Sequence, residues 1–343
     1  MNLIGEHLDY NGGQCLPLAL GYRTKASVET RDDGLLVVSS RQEEEPLELA
    51  VDETDEPRGG WTDYVVGVLR ELDVVGSGWT VEVDGRVPLG AGLSSSAAIE
   101  CAVAVAAIAA AELDLSTEEI VDACVRAEND YVGAPTGRLD QSVAMFAAED
   151  HALLLDFSGG ARRDVPWDPD GELLIIDTQV SHQLSGSEYA ERRSACETAA
   201  SLLGVDHLVS ASLDDLDRLE DDVLRRRVRH VLSENARVTS AVVAAEQGDW
   251  RTFGRLMTES HTSLRDDYEV SCAELDVAVD AALDAGALGA RMTGGGFGGS
   301  AIALVPPGRV EQVRSAVASA YEREGWDPPR FLDGTAGGPA RLE

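Results

Sequence analysis

Apolar and polar residues alternate along the first part of the chain in a pattern that predicts β-strands. Ala26 to Glu29 and Leu35 to Val38 are two such strands, and the turn residues Arg31 to Gly34 between them predict a hairpin. Trp61 to Leu72 has apolar residues at helical spacing, whereas Trp79 to Val83 alternates again. The chain is therefore expected to open with an antiparallel sheet and a helix.

Longer helices are predicted further along the chain. A glycine-rich segment from Pro88 to Ala98 leads into an Ala- and Val-rich run that continues to Ala111, which predicts a buried helix. Ser116 to Glu119 fits a capping box, in which Ser and Glu satisfy the free amides at a helix N-terminus. This second helix is expected to extend to about Tyr131.

The C-terminal half combines strands with amphipathic helices. Its predicted elements are, in chain order, strands at Ala152 to Asp156 and Leu173 to Asp177, helices between Ser187 and Ala285, a strand, the glycine run Gly294 to Gly299, a strand at Ala301 to Val305, a helix at Val310 to Glu324 and a strand near Phe331. The Gly-, Ala- and Pro-rich tail that follows is expected to be loosely ordered.

This order of elements predicts an α+β fold, because helices and strands do not alternate as βαβ units. The stretch from Ser158 to Gly171 is rich in Gly, Pro and Asp and is expected to contain a domain boundary. The length suits two domains, placed at residues 1–165 and 166–343.

Acidic residues are spread along the whole chain and give it a formal net charge of −34, from 62 Asp and Glu against 28 Lys and Arg. That charge repels nucleic acid and anionic lipid, so neither nucleic acid nor a membrane is expected as a partner. Without a signal core or an apolar span, the chain is expected in the cytoplasm. Lys25 is the only lysine, which favours a halophilic protein over the alternative of a mildly acidic mesophilic enzyme.

The five cysteines are odd in number and show no CxxC spacing. Disulfides and a zinc site are therefore both disfavoured against isolated buried thiols.

The segment from Asn2 to Gly13 concentrates hydrogen-bonding side chains, among them Glu6, His7 and Asp9. Beside apolar neighbours, such a set suits a ligand with many hydroxyl groups. A polar turn between strands is the alternative that the residues alone leave open.

The segment from Pro88 to Ala98 has glycines that would let backbone amides approach a phosphate, and it opens directly onto a helix N-terminus. Neither the P-loop pattern nor the Rossmann spacing is present, and a close-packed turn is an equal alternative. Further along, Glu128 and Asp140 flank a glycine-bearing turn, so one carboxylate could hold a divalent cation while the other takes or orients a hydroxyl proton. In a chain with 62 acids, a solvated surface pair is the alternative. Arg291 to Ser300 holds more glycine than packing requires, which favours close approach to a ligand or loop.

Three of these segments, in this order and spacing, resemble the motifs of the GHMP small-molecule kinases. They are Asn-Leu-Ile-Gly-Glu-His-Leu-Asp-Tyr-Asn-Gly-Gly at residues 2–13, Pro-Leu-Gly-Ala-Gly-Leu-Ser-Ser-Ser-Ala at 88–97 and Arg-Met-Thr-Gly-Gly-Gly-Phe-Gly-Gly at 291–299. The first is similar to the galactokinases in particular, since mevalonate and homoserine kinases lack its Asp-Tyr-Asn-Gly-Gly continuation. The similarity also includes Trp61 to Tyr64, Gly137 to Gln141 and Ser187 to Arg193.

The resemblance implies ATP-dependent phosphorylation of the anomeric hydroxyl of galactose. It also implies the family's fold, an N-terminal domain like domain 2 of ribosomal protein S5 and a ferredoxin-like C-terminal domain. Carried over by position, it assigns the sugar contacts to Glu6, His7, Asp9, Gly137 and Tyr189.

The same resemblance makes Asp140 the catalytic carboxylate. The residues that it implies for ATP binding are Gly90, Gly92, Ser94, Ser95 and Ser96 at the phosphates and Trp61 and Tyr64 near the adenine. The Mg²⁺ ligands that it implies are Ser95 and Glu128.

Two departures from the family pattern stand out. Ser300 occupies a position where many galactokinases have cysteine, a change expected to be neutral. The family's arginine would precede Met1, so the natural protein is expected to begin further upstream.

Two alternative functions remain: a kinase for a related sugar such as N-acetylgalactosamine, and a non-catalytic sensor that binds galactose and ATP. The oligomeric state is not readable from sequence, and a monomer is expected.

Overall fold

A computed structural model describes residues 1–43, 45–88, 90–134, 136–181 and 185–343. Packing divides the chain into two compact units. The larger unit consists of Met1–Leu18, Gly90–Gly92 and Asp150–Ala336. The smaller unit consists of Ala19–Leu89, Leu93–Glu149 and Gly337–Glu343.

This division differs from the expected boundary between residues 165 and 166. The reason is strand pairing, because Gln14 and Cys15 near the start of the chain pair with Asp156 and Leu155. The first residues therefore pack with the later part of the chain.

The strands and helices follow the predicted order. The strands are β1 Gln14–Cys15, β2 Thr24–Thr30, β3 Leu35–Ser40, β4 Leu47–Ala50, β5 Trp79–Gly85, β6 His151–Asp156, β7 Arg162–Pro166, β8 Glu172–Ser181, β9 Gly289–Thr293, β10 Gly298–Val305 and β11 Arg330–Asp333. The α-helices are α1 Thr62–Glu71, α2 Ser95–Ala110, α3 Thr117–Arg126, α4 Leu139–Phe146, α5 Ser185–Leu203, α6 Asp222–Glu246, α7 Trp250–Ser263, α8 Ala273–Asp284 and α9 Val310–Glu324. Strands β4 and β7 and helix α4 were not predicted.

The smaller unit contains a four-stranded sheet in the order β2-β5-β3-β4. Strand β5 pairs antiparallel with β2 and parallel with β3, so the predicted hairpin between β2 and β3 is wrong. Trp79, Val81 and Val83 of β5 are all buried. These three apolar side chains give β5 the central position, and the turn at Arg31 to Gly34 connects strands that are not neighbours.

Helices α2 and α3 pack in the core of the smaller unit, as their sequences predict. The capping box is confirmed, since Ser116 Oγ accepts from the Glu119 amide over 3.3 Å and Glu119 Oε2 accepts from the Ser116 amide over 2.8 Å. The helical path continues beyond α3 as a π-helical turn, Ala127–Val132, which ends at Gly133 in the left-handed region. Such turns are frequent at functional sites.

The larger unit contains an antiparallel sheet in the order β11-β8-β10-β9, together with helices α5 to α9. A second sheet, β1-β6-β7, lies in the same unit. The mixture of helix and largely antiparallel sheet confirms the α+β expectation. Among the described residues, no helix is long and apolar enough to cross a membrane.

The C-terminal tail is ordered, contrary to the prediction. The Gly337 amide donates to Ala19 O over 2.8 Å, and the Ala340 amide donates to Ala144 O over 2.7 Å. A Cβ at Gly337 would lie 2.5 Å from Leu20 O, so the glycine-rich composition permits close packing rather than disorder.

Candidate active site

The N-terminal loop, residues 2–13, is fixed to the larger unit by buried apolar side chains and by its backbone. Leu3, Ile4 and Leu8 have no exposed surface. Gly5 has φ +105°, and a Cβ there would lie 2.6 Å from Gln14 O, so only glycine fits. His7 has φ +62°, a strained value that is common where side chains are held for function.

Glu6 joins this loop to the third, glycine-rich motif. Its Oε1 accepts from Thr293 Oγ1 over 3.1 Å and from the Gly294 amide over 2.9 Å. Its Oε2 accepts from Asn2 Nδ2 over 2.7 Å and lies 2.8 Å from Arg291 Nη2. Burial raises the pKa of Glu6, and Arg291 opposes that shift. A carboxylate offers about four acceptor sites, and these four groups already occupy that number, so a ligand hydroxyl would have to replace one of them at Glu6.

His7 lies among aromatic rings. Its Nδ1 is 2.8 Å from Tyr10 Oη, and its ring centroid is 5.5 Å from that of Tyr189 and 4.7 Å from that of Tyr268. Burial, assisted by the charge of His230, lowers the pKa of His7 to about 3, so the imidazole is neutral. Its buried Nε2 makes no hydrogen bond within the described ranges, which suits a ligand hydroxyl.

The larger unit therefore contains four of the predicted sugar residues. Glu6 and His7 are consecutive, Asp9 begins the 3₁₀ turn Asp9–Asn11, and Tyr189 of α5 lies beside His7. The fifth, Gly137, belongs to the smaller unit, as does Asp140.

The serine segment, Ser94 to Ser96, forms the N-terminus of helix α2. Ser94 is the N-cap in a left-handed conformation, φ 58° and ψ 47°, and Ser95 and Ser96 are the first helical residues. Backbone amides at such a terminus have no partner within the helix and favour anions. Gly90 and Gly92 both have positive φ with open space around them. Leu89 of this motif and Pro135 of the Glu128-to-Asp140 segment lie outside the described residues.

Glu128 lies in the π-helical turn and is buried. Its Oε2 accepts from Thr136 Oγ1 over 2.6 Å and from Gln141 Nε2 over 2.7 Å. Gln141 Nε2 also donates to Glu100 Oε2 over 2.9 Å, so one amide bridges two carboxylates.

Asp140 is half-buried in the first turn of α4, where the helix dipole favours a negative charge. Glu100, on α2, is completely buried. Burial and then the charge of Glu128 raise the pKa of Glu100 to about 8, the hydrogen bond from Gln141 opposes the shift, and Asp140 adds to it. The smaller unit thus gathers three carboxyl groups around Gln141.

Trp61 is the N-cap of α1 and packs against the core of the smaller unit. Burial raises the pKa of Tyr64, and the next contribution is the charge of Glu128. Tyr64 therefore lies near the carboxyl groups, and its place beside an adenine stays a prediction.

Sequence reasoning missed several residues that shape these sites. Arg291 and Thr293 stood in a recognised motif, but only their contacts with Glu6 reveal a role. Gln141 likewise stood beside Asp140 in the segment from Gly137 to Gln141. Glu100 stood out only as the single charged residue of a helix predicted to be buried, and no local pattern distinguishes Glu234 from the other acids of the chain. Ser300 Oγ donates to Ala91 O over 2.7 Å, so the hydroxyl at this departure from the family pattern is satisfied.

Comparisons with sequence families agree with the resemblance. Residues 1–30 match the galactokinase galactose-binding signature, residues 63–148 the GHMP kinases N terminal domain, and residues 241–323 the GHMP kinases C terminal family. The galactokinase of Streptomyces coelicolor is 45% identical over 99% of this chain and 92% of that protein. The galactokinase of Mycobacterium tuberculosis is 41% identical over 96% of this chain and 93% of its own length.

Solved structures show the same relationship. The Lactococcus lactis galactokinase complexed with galactose has a TM-score of 0.94 and 34% identity, covering 99% of this chain and 92% of that one. Mevalonate kinase from L. major, in complex with R-mevalonate, has a TM-score of 0.69 at 20% identity, which shows a common fold. The expected GHMP kinase fold, with its S5-like and ferredoxin-like domains, is thereby confirmed.

Proposed function

This chain belongs to the galactokinase family of GHMP kinases, and from that membership we propose how its residues phosphorylate the anomeric hydroxyl of D-galactose with ATP. The chain is a sugar kinase, a phosphotransferase with an alcohol as acceptor. The proposed products are galactose 1-phosphate and ADP. The observation that carries the proposal is the N-terminal loop, where a galactose-binding signature folds around buried Glu6 and His7.

Sugar binding is assigned to Glu6, His7, Asp9, Gly137 and Tyr189. His7 supports this assignment because a neutral imidazole with a buried, unbonded Nε2 pairs well with a hydroxyl. Tyr189 presents an aromatic ring beside His7, which suits the apolar face of a sugar.

Asp140 is assigned to the acceptor hydroxyl. Its carboxylate would accept the proton of the C1 hydroxyl as that oxygen forms a bond to the γ-phosphorus of ATP, and the bond between that phosphorus and the bridging oxygen of ADP breaks. A positioned acid or base contributes typically about 10²–10⁴-fold to the rate.

Phosphate binding is assigned to the serine segment, through the N-terminus of α2 with Ser94, Ser95 and Ser96, and through the approach that Gly90 and Gly92 allow. The left-handed Ser94 N-cap and the positive φ of both glycines support this assignment. Trp61 and Tyr64 are proposed to lie near the adenine.

A Mg²⁺ ion is proposed to be held by Ser95 and Glu128. The donor set fits, since a hydroxyl and a carboxylate are the oxygen ligands that Mg²⁺ prefers, with substrate phosphates completing its shell. Glu128 also fits because Thr136 and Gln141 both donate to its Oε2 and so hold the carboxylate in place. When bound, the ion neutralises charge on the ATP phosphates.

We place this reaction in the cytoplasm of a halophile. The five cysteines are all free thiols, which suits a reducing compartment. The net charge of −34 suits molar salt, where the screening length falls to about 3 Å.

The test is ADP release over a panel of sugars, measured in molar KCl with Mg²⁺. Galactose is expected to give the highest kcat/KM. A preference for N-acetylgalactosamine would reassign the substrate, and binding of galactose and ATP without ADP release would make the protein a sensor.

A further inference from the structure

Glu234, on α6, is a completely buried acid outside the three matched family segments. Its Oε1 accepts from Ser260 Oγ over 2.6 Å, and its Oε2 accepts from Arg237 Nε over 2.7 Å. The nearby positive groups, Arg237 first, overcome the cost of burial and lower the pKa of Glu234 to about 2. The side chain is therefore an ionised carboxylate in the interior, which requires compensation from every side.

The carboxylate of Glu234 also holds the N-terminal loop. Its Oε1 accepts from the amide of Gly5 over 3.0 Å, one residue before Glu6. Helix α6 makes two more contacts in this region: His230 Nε2 lies 3.3 Å from Glu6 O in the loop, and Asn235 Oδ1 accepts from the amide of Gln14, the first residue of β1, over 2.9 Å. The backbone at Gly5, which has a φ that favours glycine, is thus held by a helix distant in sequence.

Glu234 influences Glu6 through Arg291 as well. Arg291 is completely buried, with its Nη2 2.8 Å from Glu6 Oε2 and 4.0 Å from Glu234 Oε1. Arg291 therefore pairs with Glu6 and also lies within ion-pair distance of Glu234. Loss of the charge on Glu234 would leave Glu6 to compensate Arg291 alone, and the guanidinium and the Glu6 carboxylate would shift.

We propose that Glu234 is a positioning residue for galactose binding: it fixes the backbone of Gly5 and shares Arg291 with Glu6, so that the N-terminal loop has its binding shape before the sugar arrives. The inference rests on the proposed function, in which this loop binds galactose. A residue that prepares the loop affects galactose affinity and leaves ATP affinity unchanged, because the phosphate-binding residues are elsewhere.

The test compares Glu234→Gln with Ser260→Ala. Ser260 is the matched control, since it is buried and donates to the same oxygen of Glu234 but has no hydrogen bond to the loop among the described contacts. We expect Glu234→Gln to raise the galactose Kd, measured by calorimetry in molar KCl, about tenfold, with the KM for ATP within about twofold of wild type. Ser260→Ala is expected to keep the galactose Kd within about twofold even where its Tm falls.

Two results overturn the inference. One is a Glu234→Gln protein that binds galactose as wild type does, and the other is an equal loss of affinity in Ser260→Ala. Failure of the wild-type protein to bind galactose would instead contradict the proposed function.

A measurement on the wild-type chain covers the case in which Glu234→Gln does not fold. Hydrogen exchange without galactose is expected to show the amide of Gly5 protected at least about 100-fold relative to an unstructured chain, because it is bonded to a buried carboxylate. Exchange at the unstructured rate would overturn the inference.

Discussion

Gln141 Nε2 donates to Glu128 Oε2 over 2.7 Å, which ties the residue after Asp140 to the carboxylate that we assign to Mg²⁺. The same nitrogen donates to Glu100 Oε2 over 2.9 Å, so the amide is held from both sides. Gln141 and Thr136 both donate hydrogen bonds to Oε2 of Glu128. We therefore assign the other oxygen, Oε1, to the metal. Groups that hydrogen-bond to a metal-ligating side chain typically contribute about 10–100-fold to metal affinity.

Replacement of Gln141 by Leu should therefore weaken the metal site. We expect the affinity of the protein–ADP complex for Mn²⁺, followed by electron paramagnetic resonance, to fall at least about tenfold. Ser142→Ala, a buried change at the next position, serves as the control and should leave Mn²⁺ binding unchanged. Unaltered Mn²⁺ affinity in Gln141→Leu would remove Gln141 from the support of the metal.

Asp140→Ala should separate catalysis from binding. We expect kcat to fall about 10²–10⁴-fold, because the acceptor hydroxyl loses its proton acceptor. The galactose Kd should stay within about tenfold, since the main sugar contacts are assigned to the N-terminal loop. A kcat near that of wild type would show that Asp140 takes no part in the reaction.

The raised pKa of Glu100 should make the stability of the protein depend on pH. Its pKa is raised to about 8 in the folded protein, mainly by burial, from an ordinary value of 4.5. The folded state therefore holds a proton that the unfolded chain has released, and the free energy of unfolding falls as pH rises from about 4.5 to about 8, by at most about 1.4 kcal/mol per pH unit.

Glu100→Gln should remove this dependence because it keeps the shape without the ionisation. We expect its Tm to exceed that of wild type at about pH 8.5 and to differ little from it at about pH 5. Thermal unfolding of both proteins across that range makes the comparison. Parallel curves of Tm against pH would show that Glu100 ionises normally.

The order of elements was predictable from sequence because apolar periodicity is local. Helix α9 follows Val310 to Glu324 as predicted, and the capping box at Ser116 begins α3. Strand pairing was not predictable, since the insertion of β5 between β2 and β3 depends on contacts between distant segments. The turn at Arg31 to Gly34 indicates only that the chain reverses, and it does not fix which strand lies alongside.

The residues of the candidate site were also only partly predictable from sequence. Glu6, His7 and Asp140 stand in recognisable motifs, so their sequence neighbours identified them. Glu234 lies 229 positions from Gly5, the residue that it binds, and no local pattern could connect the two. Contacts of this kind become visible only in the folded chain.

Salt should govern the stability of the whole molecule. With a net charge of −34, we expect a much lower Tm in about 0.1 M KCl than in about 2 M KCl, because repulsion on the native surface is poorly screened in the dilute salt. Sucrose at equal osmolality is the control for solute exclusion, which stabilises proteins without screening charge. A Tm independent of KCl would contradict the halophilic assignment.

The most direct test of the central claim identifies the atom that receives the phosphate. Galactose labelled with ¹³C at C1 is incubated with MgATP and the protein in molar KCl, and the product is examined by ³¹P NMR. We predict that ADP forms in equal amount to product, and that the new phosphorus signal is split by coupling to the labelled carbon. An unsplit signal from a phosphate on another hydroxyl, or bound galactose without ADP formation, would contradict the account.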